Sequence, residues 1–137
     1  PAALDLYRSA FLATYPVSVV EITVGAPFDI ADDQDWGGNL DRVRALRQQE
    51  APAADLYYYG LLAPAATFRE ACGNGCVAGI GYVPGTQTQS RHQRVALGLS
   101  FANASSAETL AHELGHNHGR PHSPCGGAIC GNASSMI

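Results

Sequence analysis

The stretch HELGHNHGRPH, residues 112–122, dictates a helix that must stop and fold back on itself. It fits the pattern H-E-x-x-H-x-x-G-x-x-H, with His112, Glu113, His116, Gly119 and His122 in place. On an α-helix, residues four apart lie about 40° apart around the axis and roughly 6 Å along it. His112 and His116 therefore project from one face, and their imidazoles can reach a shared metal ion at about 2.0–2.1 Å. Glu113 falls about 100° round from His112, beside such an ion and not on it. His122 cannot join them on a continued helix, because six residues past His116 it would sit too far along. Gly119 resolves this, since glycine tolerates the left-handed conformation that ends a helix. Pro121 then blocks any return to helix. The chain is expected to bend back and deliver His122 to the first two histidines.

Three neutral imidazoles and one neighbouring carboxylate make a specific chemical set. Three protein ligands leave one position of a tetrahedral zinc ion open, the arrangement of a catalytic rather than a structural site. A carboxylate beside that position suits a group that takes a proton from attacking water and later gives it to a leaving amine. The expected centre is one Zn2+ held by His112, His116 and His122, with Glu113 as general base and acid. The flanking residues favour a helix. Ser105 and Glu108 are spaced as a capping box, with Ser105 as N-cap. Ala107, Leu110, Ala111 and Leu114 form an apolar stripe, opposite His112, His116 and Thr109. His118, two residues past His116, is expected to point away from the metal, and His92 stands alone in a polar loop.

These residues resemble the metzincin zinc endopeptidases, and two further features resemble the adamalysin, or reprolysin, branch of that group. Metzincins place a methionine in a tight turn under the zinc. Met136, the one methionine of the chain, lies fourteen residues after His122, a separation found in adamalysins. Upstream, VAGIGYVPG at 77–85 and RVALGLS at 94–100 are similar to the adamalysin edge strand and the strand that leads into the zinc helix. The resemblance implies an α/β fold, a single metzincin-like domain over residues 1–137. That fold has a twisted, mostly parallel sheet, one antiparallel edge strand, helices packed on the sheet and the zinc on a central active-site helix. Met136 would be a hydrophobic floor. Gly79, Ile80, Gly81 and Tyr82 would form the edge that pairs with an extended peptide substrate. Gly79 and Gly81 would let the substrate backbone approach closely. Ser123, after the last histidine, departs from the Asp that adamalysins usually carry there. The wall of the S1′ pocket is expected beyond Met136, outside this sequence.

Cys72, Cys76, Cys125 and Cys130 form two pairs close in sequence. Four cysteines allow three connectivities. The glycines of CGNGC and CGGAIC favour two local disulfides, with a crossed pairing left open. A zinc site of four thiolates is the weaker reading, because the spacings are C-x3-C and C-x4-C and no C-x2-C occurs. Disulfides point to an oxidising compartment and hence to secretion. The chain starts at Pro1, so a signal peptide or inhibitory pro-segment is expected outside it. A net charge of −4 argues against a nucleic-acid partner. No apolar run approaches the roughly 20 residues of a membrane span. A monomer acting on protein or peptide substrates is the expectation. Asp29, Asp32, Asp33 and Asp35 raise calcium as a second ion, yet they lack the spacing and terminal Glu of an EF-hand loop. They are read as a solvated acidic turn.

A hydrophobic fraction of 46% with 15% charged residues predicts a globular chain. Hydrophobic periodicity predicts a helix over 3–14, with Leu4, Leu6, Tyr7, Ala10 and Phe11 on its buried side. A strand over 17–24 and an acidic loop over 25–35 follow. A helix over 39–50 carries Arg42, Arg44 and Arg47 on a solvated face, and a buried strand spans 55–62. Strand, helix and strand in that order predict a right-handed βαβ unit. An irregular loop over 63–76, a strand over 77–83, a polar loop over 84–93 and a strand over 94–100 precede the zinc helix. Two other functional classes fit the same motif: a zinc- and peptide-binding module without useful catalysis, and a metallohydrolase acting on a non-peptide bond.

Overall fold

A computed structural model describes residues 2–30, 35–84 and 88–122. Its elements are α1 (Ala2–Thr14), α2 (Trp36–Glu50), β1 (Tyr58–Leu62), α3 (Phe68–Cys72), β2 (Gly79–Gly81), a 3-10 helix (Thr88–Gln93), β3 (Val95–Leu99) and α4 (Ala104–Asn117). The strands form one sheet in the order β1-β3-β2. β1 runs parallel to β3, with Tyr59 opposite Ala96 and Leu61 opposite Gly98. β2 runs antiparallel to β3, with Gly79 opposite Gly98 and Gly81 opposite Ala96. The antiparallel edge strand is where the sequence predicts it. The described sheet as a whole is one parallel and one antiparallel pair, not mostly parallel.

Residues 17–24 form no strand, and Val17, Val19 and Val24 are exposed. β-Branched residues favour a strand only where a neighbour supplies cross-strand packing. No described strand pairs with this segment, so the βαβ unit predicted from it is also absent from the described residues.

The sheet has two unlike faces because successive side chains alternate. On one, Leu62, Val95, Leu97 and Leu99 meet Leu40 and Val43 of α2 and Cys72 of α3 in the hydrophobic core. Ile80 and Tyr82 pack against the same cluster. On the other face, α4 lies against positions that carry almost no side chain. A Cβ on Gly81 would stand 2.6 Å from the Glu113 carbonyl oxygen, and one on Gly79 would stand 2.6 Å from Glu113 Cγ. The space beside these glycines, expected to admit a substrate backbone, is filled by the helix.

The helices depart from their predicted bounds for local reasons. α2 starts before residue 39 because Asp35 caps it, its carboxylate accepting the Gly38 N–H at 2.9 Å. Arg47 is not solvated: it is 2% exposed and donates to the Leu56 carbonyl from Nε at 3.3 Å and Nη2 at 3.0 Å. This ties the end of α2 to the approach of β1. Within the predicted loop 63–76, Thr67 and Glu70 make a full capping box and start α3. Within the predicted polar loop, Thr88–Gln93 winds into the 3-10 turn. On α1, Tyr7 is buried, whereas Leu6 is 40% exposed. The chain leaving α1 is fastened to α4 by the Tyr15 hydroxyl, which donates to the Ala111 carbonyl at 2.7 Å.

Candidate metal centre

α4 is capped two residues earlier than predicted. Asn103 is extended, and its side-chain oxygen accepts the Ser106 N–H at 3.0 Å. Ser105 lies inside the helix, and Ser106 Oγ accepts the Phe101 N–H at 2.9 Å. Asn and Ser cap about equally well, so the position where the chain leaves its extended conformation decides between them. Ala107, Ala111 and Leu114 are buried, as the apolar stripe predicts. Thr109 was expected beside the histidines; instead it is buried, its methyl against Gly79 and Gly98 of the sheet.

The other end of α4 stops as the glycine predicts. Gly119 has φ +79. Its N–H donates to the His116 carbonyl at 2.8 Å, while the Arg120 N–H donates to the Gly115 carbonyl at 3.1 Å. Those two bonds are a Schellman motif, which closes off the last turn and reverses the chain. The reversal brings His122 Nε2 to 3.1 Å from His112 Nε2 and 3.2 Å from His116 Nε2. One ring nitrogen from each histidine lies within 4.8 Å of the other two. Ligand nitrogens on a tetrahedral zinc ion at about 2.0–2.1 Å stand roughly 3.3 Å apart, so the trio fits one such ion.

The tautomer fits as well. His116 Nδ1 lies 2.7 Å from the Arg120 carbonyl oxygen. A carbonyl only accepts, so Nδ1 carries the proton and Nε2 presents its lone pair to the cluster. Burial, and then the neighbouring His116 and His122, hold His112 below the ordinary histidine range. That favours the neutral form a metal requires. Glu113 is 6% exposed, and burial pushes its carboxyl up to about 7. Its Oε2 lies 3.9 Å from His116 Nε2. A cation held by the imidazoles would favour the ionised carboxylate and oppose that rise.

Two supporting residues were not anticipated from sequence. Asn117, on the buried side of α4, donates from Nδ2 to the Tyr82 and Val95 carbonyls at 2.8 and 2.9 Å. A polar residue three places after Leu114, in line with the apolar stripe, was the available signal. Tyr59 of β1 reaches the space under α4, and nothing local in the sequence marks it. His118 points away from the trio as expected, its ring 5.0 Å from Tyr15 and 4.8 Å from Tyr57.

Among the described residues, the histidine trio is the one group of His, Cys, Asp or Glu placed to share an ion. Asp35 serves as a helix cap. Asp32, Asp33, Ser123, Cys125, Cys130 and Met136 lie outside the described residues. Cys72 and Cys76 are joined in a local disulfide, one of the two pairings favoured by sequence. Gly79, Ile80 and Gly81 form the edge strand, with Tyr82 directly after it. No described helix is long and apolar enough to cross a membrane.

The family described as Metallo-peptidase family M12B Reprolysin-like matches the chain over residues 26–123. No curated protein and no solved structure matches it at a significant level.

Proposed function

The chain belongs to the reprolysin-like M12B metallopeptidases, and from that premise we propose that it is a secreted, monomeric zinc endopeptidase cutting peptide bonds in proteins. The observation that carries this reading is the convergence of His112, His116 and His122 beside the buried carboxylate of Glu113. Residues 1–137 act as one catalytic domain in this reading. His112, His116 and His122 would hold the ion through one ring nitrogen each. Zinc bound there would supply Lewis acidity toward water and a carbonyl oxygen. Glu113 accepts the proton of the attacking water and passes it to the departing nitrogen. The free edge of β2, residues 79–81 with Tyr82 after it, offers backbone groups that hold the substrate extended as a further strand. Met136 is assigned the hydrophobic floor. The Cys72–Cys76 disulfide supports an extracellular site of action. Nothing in the described residues calls for calcium.

Cleavage of an unfolded protein, followed by mass spectrometry with and without a chelator, tests the reading. New N-termini that vanish on metal removal are the expected result. Glu113→Gln should keep one zinc per chain and lose roughly 10²–10⁴-fold in kcat. Zinc uptake without any cleavage would favour a peptide-binding module, and hydrolysis of a non-peptide bond alone would favour a different metallohydrolase.

A further inference from the structure

Tyr59 and Glu113 come from opposite sides of the sheet–helix interface and end in adjoining hollows. A Cβ on Gly98 would collide with the Tyr59 hydroxyl and stand 3.1 Å from the Thr109 methyl. A Cβ on Gly79 would stand 2.9 Å from Glu113 Oε1 and 2.8 Å from the same methyl. Gly79 and Gly98 are opposite one another in the β2–β3 pairing. The phenol and the carboxylate thus occupy the space left by two paired glycines, both flanked by Thr109.

Neither group has a hydrogen-bond partner among the described residues, and the phenol is a buried orphan. The Tyr59 hydroxyl is buried and makes no hydrogen bond, although the residue as a whole is only half-buried. The Glu113 carboxylate accepts no hydrogen bond from the described residues, its contact with His116 spanning 3.9 Å. Tyr7, the other phenol near Tyr59, is already bonded to Ser100 Oγ at 2.7 Å. Buried polar groups are rarely left unsatisfied, and a carboxylate is the stronger acceptor for a phenol. Burial, then the charge of Glu113, then Tyr7 push the Tyr59 phenol well above its ordinary value. It therefore remains a donor at any working pH.

We propose that the Tyr59 hydroxyl donates a hydrogen bond to the Glu113 carboxylate, directly or through one bridging water, and so positions that carboxylate for its work at the metal. Tyr59 touches neither substrate nor metal in this role. The kinetic part rests on the peptidase reading above; the contact itself does not.

Tyr59→Phe tests it, since it removes one oxygen and keeps the ring. In chelator-treated protein with 13C-labelled glutamate carboxyls, the Glu113 resonance is identified by its loss in Glu113→Gln. It should move in Tyr59→Phe. In the zinc-loaded protein kcat should fall roughly tenfold or more, the loss of one hydrogen bond to a charged group, with KM and zinc stoichiometry unchanged. An unmoved resonance together with a raised Tm would mark the hydroxyl as a mere orphan and overturn the proposal. A moved resonance with unchanged kcat in an active enzyme would overturn the positioning role. Should the wild type cleave no peptide, the peptidase reading fails while the resonance still decides the contact.

Discussion

Asn117 donates from Nδ2 to the carbonyl of the fully buried Val95 at 2.9 Å, and the same nitrogen donates to the Tyr82 carbonyl at 2.8 Å. One side chain thus pins the last turn of α4 to both the β3 strand and the chain leaving β2. Replacing it strands the Tyr82 carbonyl, whereas Val95 O keeps a 3.4 Å bond from the Tyr82 N–H. Asn117→Ala should therefore cost about 2–3 kcal/mol, readable as a lower urea midpoint at constant m. Because His116 is the preceding residue, zinc affinity should fall as well. A variant as stable as the wild type would show that α4 is held by its apolar stripe alone.

Gly79→Ala puts a methyl 2.6 Å from Glu113 Cγ and 2.8 Å from the Thr109 methyl. Neither neighbour can withdraw freely, since both Thr109 and Glu113 are buried under the helix. Overpacking of this kind costs about 1–3 kcal/mol. The displaced atom belongs to the proposed base, so kcat should drop more than stability does. Zinc stoichiometry, measured by elemental analysis, should stay at one.

Cys72 and Cys76 close a five-residue loop next to α3, away from the histidines in sequence. The chain-entropy account gives so short a loop about 2 kcal/mol. The double variant Cys72→Ala, Cys76→Ala should lose about that much stability, part of it from the smaller side chain at the core position 72. Zinc affinity and kcat should be unchanged. Loss of zinc in this variant would mean that the sheet edge and the metal centre are coupled.

How far the site could be read from sequence follows from the range of the interactions involved. His112, Glu113 and His116 share one helix, and Gly119 makes a bend within that same stretch, so spacing alone sufficed to bring His122 home. The Schellman bonds from Gly119 and Arg120 are equally local. Asn103 displaced Ser105 as cap because several side chains can cap and local backbone geometry chooses among them. The Thr67–Glu70 box that starts α3 is just as local and lies within the stretch 63–76 predicted as a loop. Residues 17–24 misled because strand formation needs a partner that composition cannot supply. Tyr59 was out of reach for the same reason. Its place beside Glu113 depends on a register, Tyr59 against Ala96 and Gly79 against Gly98, that joins segments far apart in the chain.

Gly119 offers the cleanest separation of backbone strain from crowding. Its φ of +79 is a conformation that residues with a side chain rarely adopt, yet nothing lies within 4 Å of where its Cβ would be. Gly119→Ala therefore loses through the backbone alone, about 1–2 kcal/mol. The bend it occupies sets the position of His122, so the cost should concentrate in the zinc-loaded state. Without metal, the alanine variant can relieve its strain by opening the turn, and its stability should differ little from wild type. With metal, the turn must close, and zinc affinity should fall roughly tenfold. Paired calorimetric titrations and thermal melts with and without chelator measure both quantities. Equal zinc affinity in the two proteins would show that the turn tolerates alanine and that His122 does not depend on a glycine to reach the other histidines.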